Sequence, residues 1–242
     1  MQNHFPTHNG LRRDKTTLRQ DFLAAALGGA LVLAMSTLAT EAGDFVRMDA
    51  PDSASGYLAR LLINENPFPG ERGYVSVEDS KMGMRQVLWV LDDRMHHIPT
   101  GYSQVQISST RSQDILDVIT ARNQCEGFSS DPAGKRVCAP RVERRLNYLM
   151  KIANSGSEPG KFADLLNYGQ ELARAYLQGG RQAADHFAGI TVVNRIAVTG
   201  RGYSWMTDRD CYNPGGNFVA IPDAQGGSPG GNRFFTLRKD PK

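Results

Sequence analysis

Glu65 is the residue whose type is at odds with its position. Leu58, Leu61 and Leu62 recur at three- and four-residue steps, and the next position on that helical face is 65. A carboxylate there points towards the core or the floor of a cleft, at the last turn of a helix whose negative dipole end disfavours a second negative charge. Burial and dipole both favour the neutral acid, and an acid that stays protonated can donate a proton to a leaving oxygen. That is the requirement for the general acid of glycosidic cleavage. Hydrolysis asks for a second carboxylate, for which Glu71, Glu78 and Asp79 are the nearby candidates. With one carboxyl alone, the sugar's own 6-hydroxyl can close on the anomeric carbon while the deprotonated Glu65 serves as base. The structural alternative for Glu65 is a half-exposed side chain, or an ion pair with Arg60 or Arg72.

Other residues suggest other chemistry. His96 and His97 are adjacent, so on a helix they point about 100° apart and cannot clamp one ion together. With His186 they read as surface residues, no His-Glu-x-x-His pattern occurs, and neither a metal nor a cofactor is expected. Cys211 beside His97 or His186 would give a nucleophile of a peptidase or amidase. The other two thiols, Cys125 and Cys138, flank Asp131-Pro132-Ala133-Gly134, and this short closure makes them the favoured disulfide. A sugar-binding groove needs flat apolar faces and amides, which Tyr203, Ser204, Trp205, Tyr212, Asn213, Asn217 and Phe235 could supply, with Tyr203-Ser204-Trp205 foremost.

The elements that must position these groups are helical first and Gly-rich last. Ser53 can cap a helix that runs to Glu65 and is ended by Pro67 and Pro69. A second runs from about Ser80 to His96 with Met84, Val87, Leu88, Leu91 and Met95 on one face, and a third from about Ser112 to Arg122. Pro140 suits the first turn of a fourth, bearing Val142, Leu146, Leu149 and Ile152. The fifth and longest carries Phe162, Leu165, Leu166, Leu172 and Tyr176 and stops at Gly179-Gly180, with a short turn around Arg181 to Phe187. From Gly200 to Gly231 eight glycines and three prolines separate brief strands at Tyr203–Met206, Phe218–Ile221 and Phe234–Leu237. The class is α+β, mainly α, in one domain over 43–242.

Ahead of that domain, Arg12, Arg13, Lys15 and Arg19 precede an apolar run from Phe22 to Leu38, the basic-then-apolar order of an export signal. Residues 1–42 therefore read as a signal peptide cut near Ala42, or as an uncleaved N-terminal anchor, which would be the sole membrane contact. Either way the domain lies in the periplasm or is secreted. Lys and Arg exceed Asp and Glu by 28 to 25, with the signs mixed along the chain, so nucleic acid is a poor partner.

Leu62-Ile63-Asn64-Glu65-Asn66-Pro67, then Gly70-Glu71, then the helix Gly83-Met84-Arg85-Gln86-Val87-Leu88-Trp89-Val90-Leu91-Asp92-Asp93-Arg94, resembles the opening of the spore-cortex-lytic type of cell wall hydrolase. In that family a helix ends in a catalytic Glu, a short Gly/Glu segment follows, and a second helix runs to an Asn-Arg pair. Cys125-Glu126-Gly127-Phe128-Ser129 is similar to a Cys-x-Phe-Ser segment there, Glu171 to Gly179 resembles a helix ending in Gly, and Gly230 to Phe235 resembles the terminal strand. This chain departs in a longer spacing from Glu65 to Glu71, in Asp92-Asp93-Arg94 at the Asn-Arg position, and in an apparent insertion over Tyr203–Pro222. The resemblance implies a lysozyme-like fold with Glu65 and Glu71 in the catalytic positions. It implies cleavage of the peptidoglycan glycan strand, as a lytic transglycosylase or muramidase-like hydrolase. The alternatives are a non-catalytic wall-binding or assembly module and the Cys-dependent wall peptidase or amidase.

Overall fold

Helix α1, Ala54–Asn64, starts where the Ser53 side chain accepts the Gly56 amide, and Glu65 closes it as the C-cap. Every residue from Gly56 to Ile63 is buried, so α1 is the central rod of the fold rather than a helix with one wet face. In this computed structural model the described residues are 45–155, 160–179, 185–207 and 215–241. The leader proposed for 1–42, as well as Cys211, Tyr212 and Asn213, lies outside them.

Five further helices follow α1 among the described residues. Helix α2, Val77–His96, begins earlier than its apolar stripe predicts because Ser76 accepts the Asp79 amide and caps it. Helices α3, Gln104–Ser108, and α4, Ile115–Thr120, are short; α3 escapes sequence reading because five residues show no periodicity. Helix α5, Pro140–Ala153, has Pro140 in its first turn, and α6, Lys161–Leu177, ends before Gly179 in the left-handed region at φ 76°. Helices α6, α5 and α2 all pack on α1, and Leu58, Leu61, Leu62, Leu88, Leu146, Leu149, Leu165 and Leu166 meet there.

The strands form three small antiparallel sheets. β1, Phe128–Ser130, pairs with β2, Arg136–Cys138, and Asp131 shapes the turn by accepting the Ala133 and Lys135 amides. This hairpin corrects the expectation of a disulfide: Cys125 and Cys138 are free thiols, and backbone pairing closes the loop. Cys125 has Glu65 and Arg94 as its charged neighbours, whereas Cys138 has Glu143 and Arg60. A two-residue hairpin joins β3, Val192–Val193, to β4, Ile196–Ala197. β5, Ser204–Met206, β6, Phe218–Ala220, and β7, Arg233–Leu237, form a sheet in the order β5-β7-β6, with Trp205 opposite Phe234 and Ala220 opposite Phe235. The architecture is α+β and mainly helical. No helix among the described residues is long and apolar enough to cross a membrane.

One close approach locks the sheet end onto the helices. The turn Pro229–Gly231 lies against α2, where a Cβ placed on Gly83 would sit 2.1 Å from Asn66 Oδ1 and 2.7 Å from Gly230 Cα. The Gly230 amide donates to Asp79 Oδ2 at 3.1 Å beside this contact. Gly83→Ala should therefore cost about 1–3 kcal/mol of stability through overpacking, despite alanine's better helix propensity. Chemical denaturation checks this, and a gain in stability would contradict the contact.

Candidate functional site

The C-terminal end of α1 would leave carbonyls unpaired in the protein interior unless other groups reached them. Asn66 Nδ2 donates to the Leu62 carbonyl at 2.7 Å and Arg145 Nη1 to that of Ile63 at 2.8 Å. Asn232 Nδ2, on a fully buried side chain, donates to the Glu65 carbonyl at 2.8 Å. The backbone of Glu65 is thus fixed from α5 and from the segment leading into β7.

Its side chain is fixed as firmly. Trp205 Nε1 and Thr207 Oγ1 each donate to Glu65 Oε2 at 2.9 Å, and Asn64 Nδ2 donates to Oε1 at 3.2 Å. Glu65 is half-buried and lines an open cleft of about 870 Å³ between the end of α1, the loop around Cys125, α5 and β5. Of the structural alternatives, a half-exposed Glu65 is what forms, while Arg60 is buried against Glu143 at 2.7 Å.

Arginines surround this carboxylate without pairing to it. Arg94, on α2, donates to the Tyr203 carbonyl and to Gln124 Oε1, both at 2.9 Å, and its Cζ stands 5.0 Å from the Trp205 ring centroid. Arg145 grips Glu71 with two hydrogen bonds of 2.9 and 2.6 Å. Arg141 pairs with Glu126 at 2.9 Å, and Glu126 is 91% exposed. Among the described residues the cleft therefore presents two carboxylates, Glu65 in its wall and Glu126 in solvent.

Several sequence-derived site residues are corrected by these positions. Glu71 lines an adjoining depression of about 350 Å³ and binds Arg145 and the Phe68 amide, so it positions the loop after α1. Glu78 is exposed, and Asp79 binds the turn at Gly230; neither lines the cleft. Tyr203 and Phe235 are 1% and 2% exposed, and the Tyr203 hydroxyl donates to the His97 carbonyl at 2.6 Å, so both belong to the packing under β5 and β7. Asn217 accepts the Arg238 amide through its carbonyl and does not line the cleft. Ser204 and Trp205 do line it, Trp205 with its indole N–H spent on Glu65.

Thr207, Arg94, Arg145 and Asn232 are the site residues that sequence reasoning missed. Arg94 carried a usable signal: it lies three residues after Leu91 on the buried side of α2, the same anomaly that marks Glu65. The others are joined to Glu65 only through tertiary contacts. A second charged cluster was equally hidden: Asp92, Asp93 and His97 place one ligand atom each within 4.8 Å of one another. His97 caps α2 with non-helical backbone, which brings its Nδ1 to 3.0 Å from Asp93 Oδ1. Burial, and then the nearby Asp185, push the Asp93 carboxyl up to about 8 against the pull of Arg201. Burial, and then the Arg201 guanidinium, pull His97 below its ordinary value.

Comparison with known proteins adds no kinship to this geometry: no family model, no curated protein and no solved structure matches the chain.

Burial pushes the Cys125 thiol far above the ordinary thiol range and the Cys138 thiol up to about 11. Iodoacetamide at pH 8 should accordingly leave Cys125 unmodified in the native protein and label it fully in denaturant, as read by peptide mapping. Rapid native labelling would show that the thiol is neither buried nor suppressed.

Proposed function

We propose that this is an exported enzyme cleaving the glycan strand of peptidoglycan, lysozyme-like in fold and acting by the lytic transglycosylase route. The observation that carries the reading is a single fixed carboxylate, Glu65, in an open cleft at the end of a buried helix. Trp205 and Thr207 hold one of its oxygens in place, so the group meets a bound glycan in a set orientation.

In this mechanism the Glu65 carboxyl gives a proton to the glycosidic oxygen as the bond to the anomeric carbon breaks. The carboxylate left behind takes the proton of the sugar's 6-hydroxyl as that oxygen bonds to the anomeric carbon, which restores the acid and leaves an anhydro end. The commitments of the acidic groups among the described residues support this route over hydrolysis. Glu71 is committed to Arg145, and Glu126 is solvated and paired with Arg141, so neither is placed to hold a water opposite Glu65. The resemblance of the Glu65 segment to spore-cortex-lytic hydrolases and the basic-then-apolar N-terminus point the same way, to a periplasmic or secreted wall enzyme.

Incubation with purified peptidoglycan, followed by mass spectrometry of the released muropeptides, tests the proposal. The wild type should release products with anhydro ends, and Glu65→Gln should lower that release by about 100-fold or more, the scale of a lost general acid. Binding of peptidoglycan without release would favour a wall-binding module, and reducing ends alone would favour hydrolysis. Thr207→Val keeps the side-chain shape while removing one donor to Glu65. It should lower turnover by about 10-fold, the scale of one lost hydrogen bond that orients the carboxyl, with no change in fold.

A further inference from the structure

A second cavity, of about 850 Å³, shares no lining residue with the Glu65 cleft and is bounded by Trp89, Asp92, His97, Tyr176, Asp185 and Arg201. Three carboxylates at this wall have the same arrangement, with one oxygen tied by the protein and the other left over. Asp92 Oδ1 lies 2.8 Å from the Tyr176 hydroxyl and 3.1 Å from His96 Nδ1, while its Oδ2 is 4.0 Å from His97 Nδ1. Asp93 Oδ1 takes Arg201 Nη1 at 2.8 Å and faces His97 Nδ1 at 3.0 Å; Asp185 Oδ1 takes Gln86 Nε2 and the Phe187 amide, both at 2.9 Å. The Asp93 and Asp185 side chains are 0% and 3% exposed, and the Oδ2 of each has no hydrogen-bond partner among the described residues. The cation nearest to Asp185 Oδ2 is Arg201 Nη1, at 3.9 Å.

Buried carboxylate oxygens without partners are costly, and native proteins rarely keep them without a compensating group. Among the described residues Asp93 and Asp185 share one guanidinium, that of Arg201, and with Asp92 they stand beside the C-terminal end of α2, where the helix dipole favours cations. Hydrogen bonds that hold one carboxylate oxygen and free the other are how supporting groups orient ligands around a metal.

We propose that Asp92, Asp93 and His97 bind a divalent transition-metal cation, with Asp185 supplying neighbouring negative charge. The imidazole nitrogen in the donor set selects Zn²⁺ or Mn²⁺ over Ca²⁺ and Mg²⁺, which take oxygen ligands. Metal–ligand bonds of about 2.0–2.2 Å put two donors at most about 4.4 Å apart. In a tetrahedral site the donors stand about 3.3–3.6 Å apart, so these atoms, within 4.8 Å of one another, close on an ion with side-chain shifts of about 1 Å. The ion would staple the end of α2 to the segment carrying Asp185 and Arg201, a structural role independent of chemistry at Glu65.

The test uses the full chain, stripped with chelator and titrated calorimetrically with Zn²⁺, and Mn²⁺ binding read from loss of the free-ion paramagnetic resonance signal. One equivalent of either ion should bind, Zn²⁺ should raise the melting temperature, and Asp93→Asn and His97→Gln should each weaken the site at least 10-fold. Because Asp93 is buried and its variant can fail to fold, His97→Gln, at a 40% exposed side chain, decides the matter alone if necessary. No binding by the wild type, or binding and thermal stabilisation unchanged in His97→Gln, overturns the proposal.

Discussion

A helix that ends inside a protein must have its last carbonyls met by donors from elsewhere, and α1 meets this demand with side chains from distant parts of the chain. Arg145 comes from α5 and Asn232 from the approach to β7, while Asn66 folds back from the turn itself. The segment carrying Asn232 leads into β7, whose pairing with β5 brings Trp205 to Glu65. The position of Glu65 is therefore a by-product of closing a buried helix, and whatever loosens that closure moves the carboxylate.

Glycine serves the same closure. Asn232 can reach the Glu65 carbonyl only if the Pro229–Gly231 turn lies against α2, and that approach is possible because Gly83 and Gly230 present no side chains to each other. Arg145 adds a charged link, since its guanidinium binds Glu71, the Ile63 carbonyl and the Asn66 carbonyl together. Arg145 holds the loop between α1 and α2 together with Ser80, whose hydroxyl donates to the Pro67 carbonyl at 2.8 Å, and Glu71 is bound within this bracing.

Arginine is used differently at the two acidic centres. Around Glu65 the described guanidinium groups bind carbonyls, an amide oxygen and other carboxylates, and the donors to the Glu65 carboxyl among the described residues are Trp205, Thr207 and Asn64. In the second cavity one guanidinium, that of Arg201, serves two buried carboxylates and leaves an oxygen of each unpartnered.

The sequence by itself determined the helices with long apolar stripes, their caps at Ser53, Pro140 and Gly179, the three short strands near the C-terminus, and the anomaly of a carboxylate at position 65. Each of these is a local property: periodicity, a capping side chain or a backbone preference is written in neighbouring residues. It misjudged Tyr203 and Phe235 because an aromatic residue in a Gly-rich stretch suits a core and a groove equally well, and only the pairing of β5 and β6 with β7 turns those two inward. It mistook a hairpin closed by backbone pairing for a loop closed by thiols, since short closures look alike from spacing. The tertiary structure alone decided that Thr207 and Trp205 hold Glu65, that Glu71 belongs to Arg145, and that Asp185 joins Asp92, Asp93 and His97. Those contacts join residues about 70 to 140 positions apart, and no local pattern records which distant donor will reach a buried acceptor once the chain has packed.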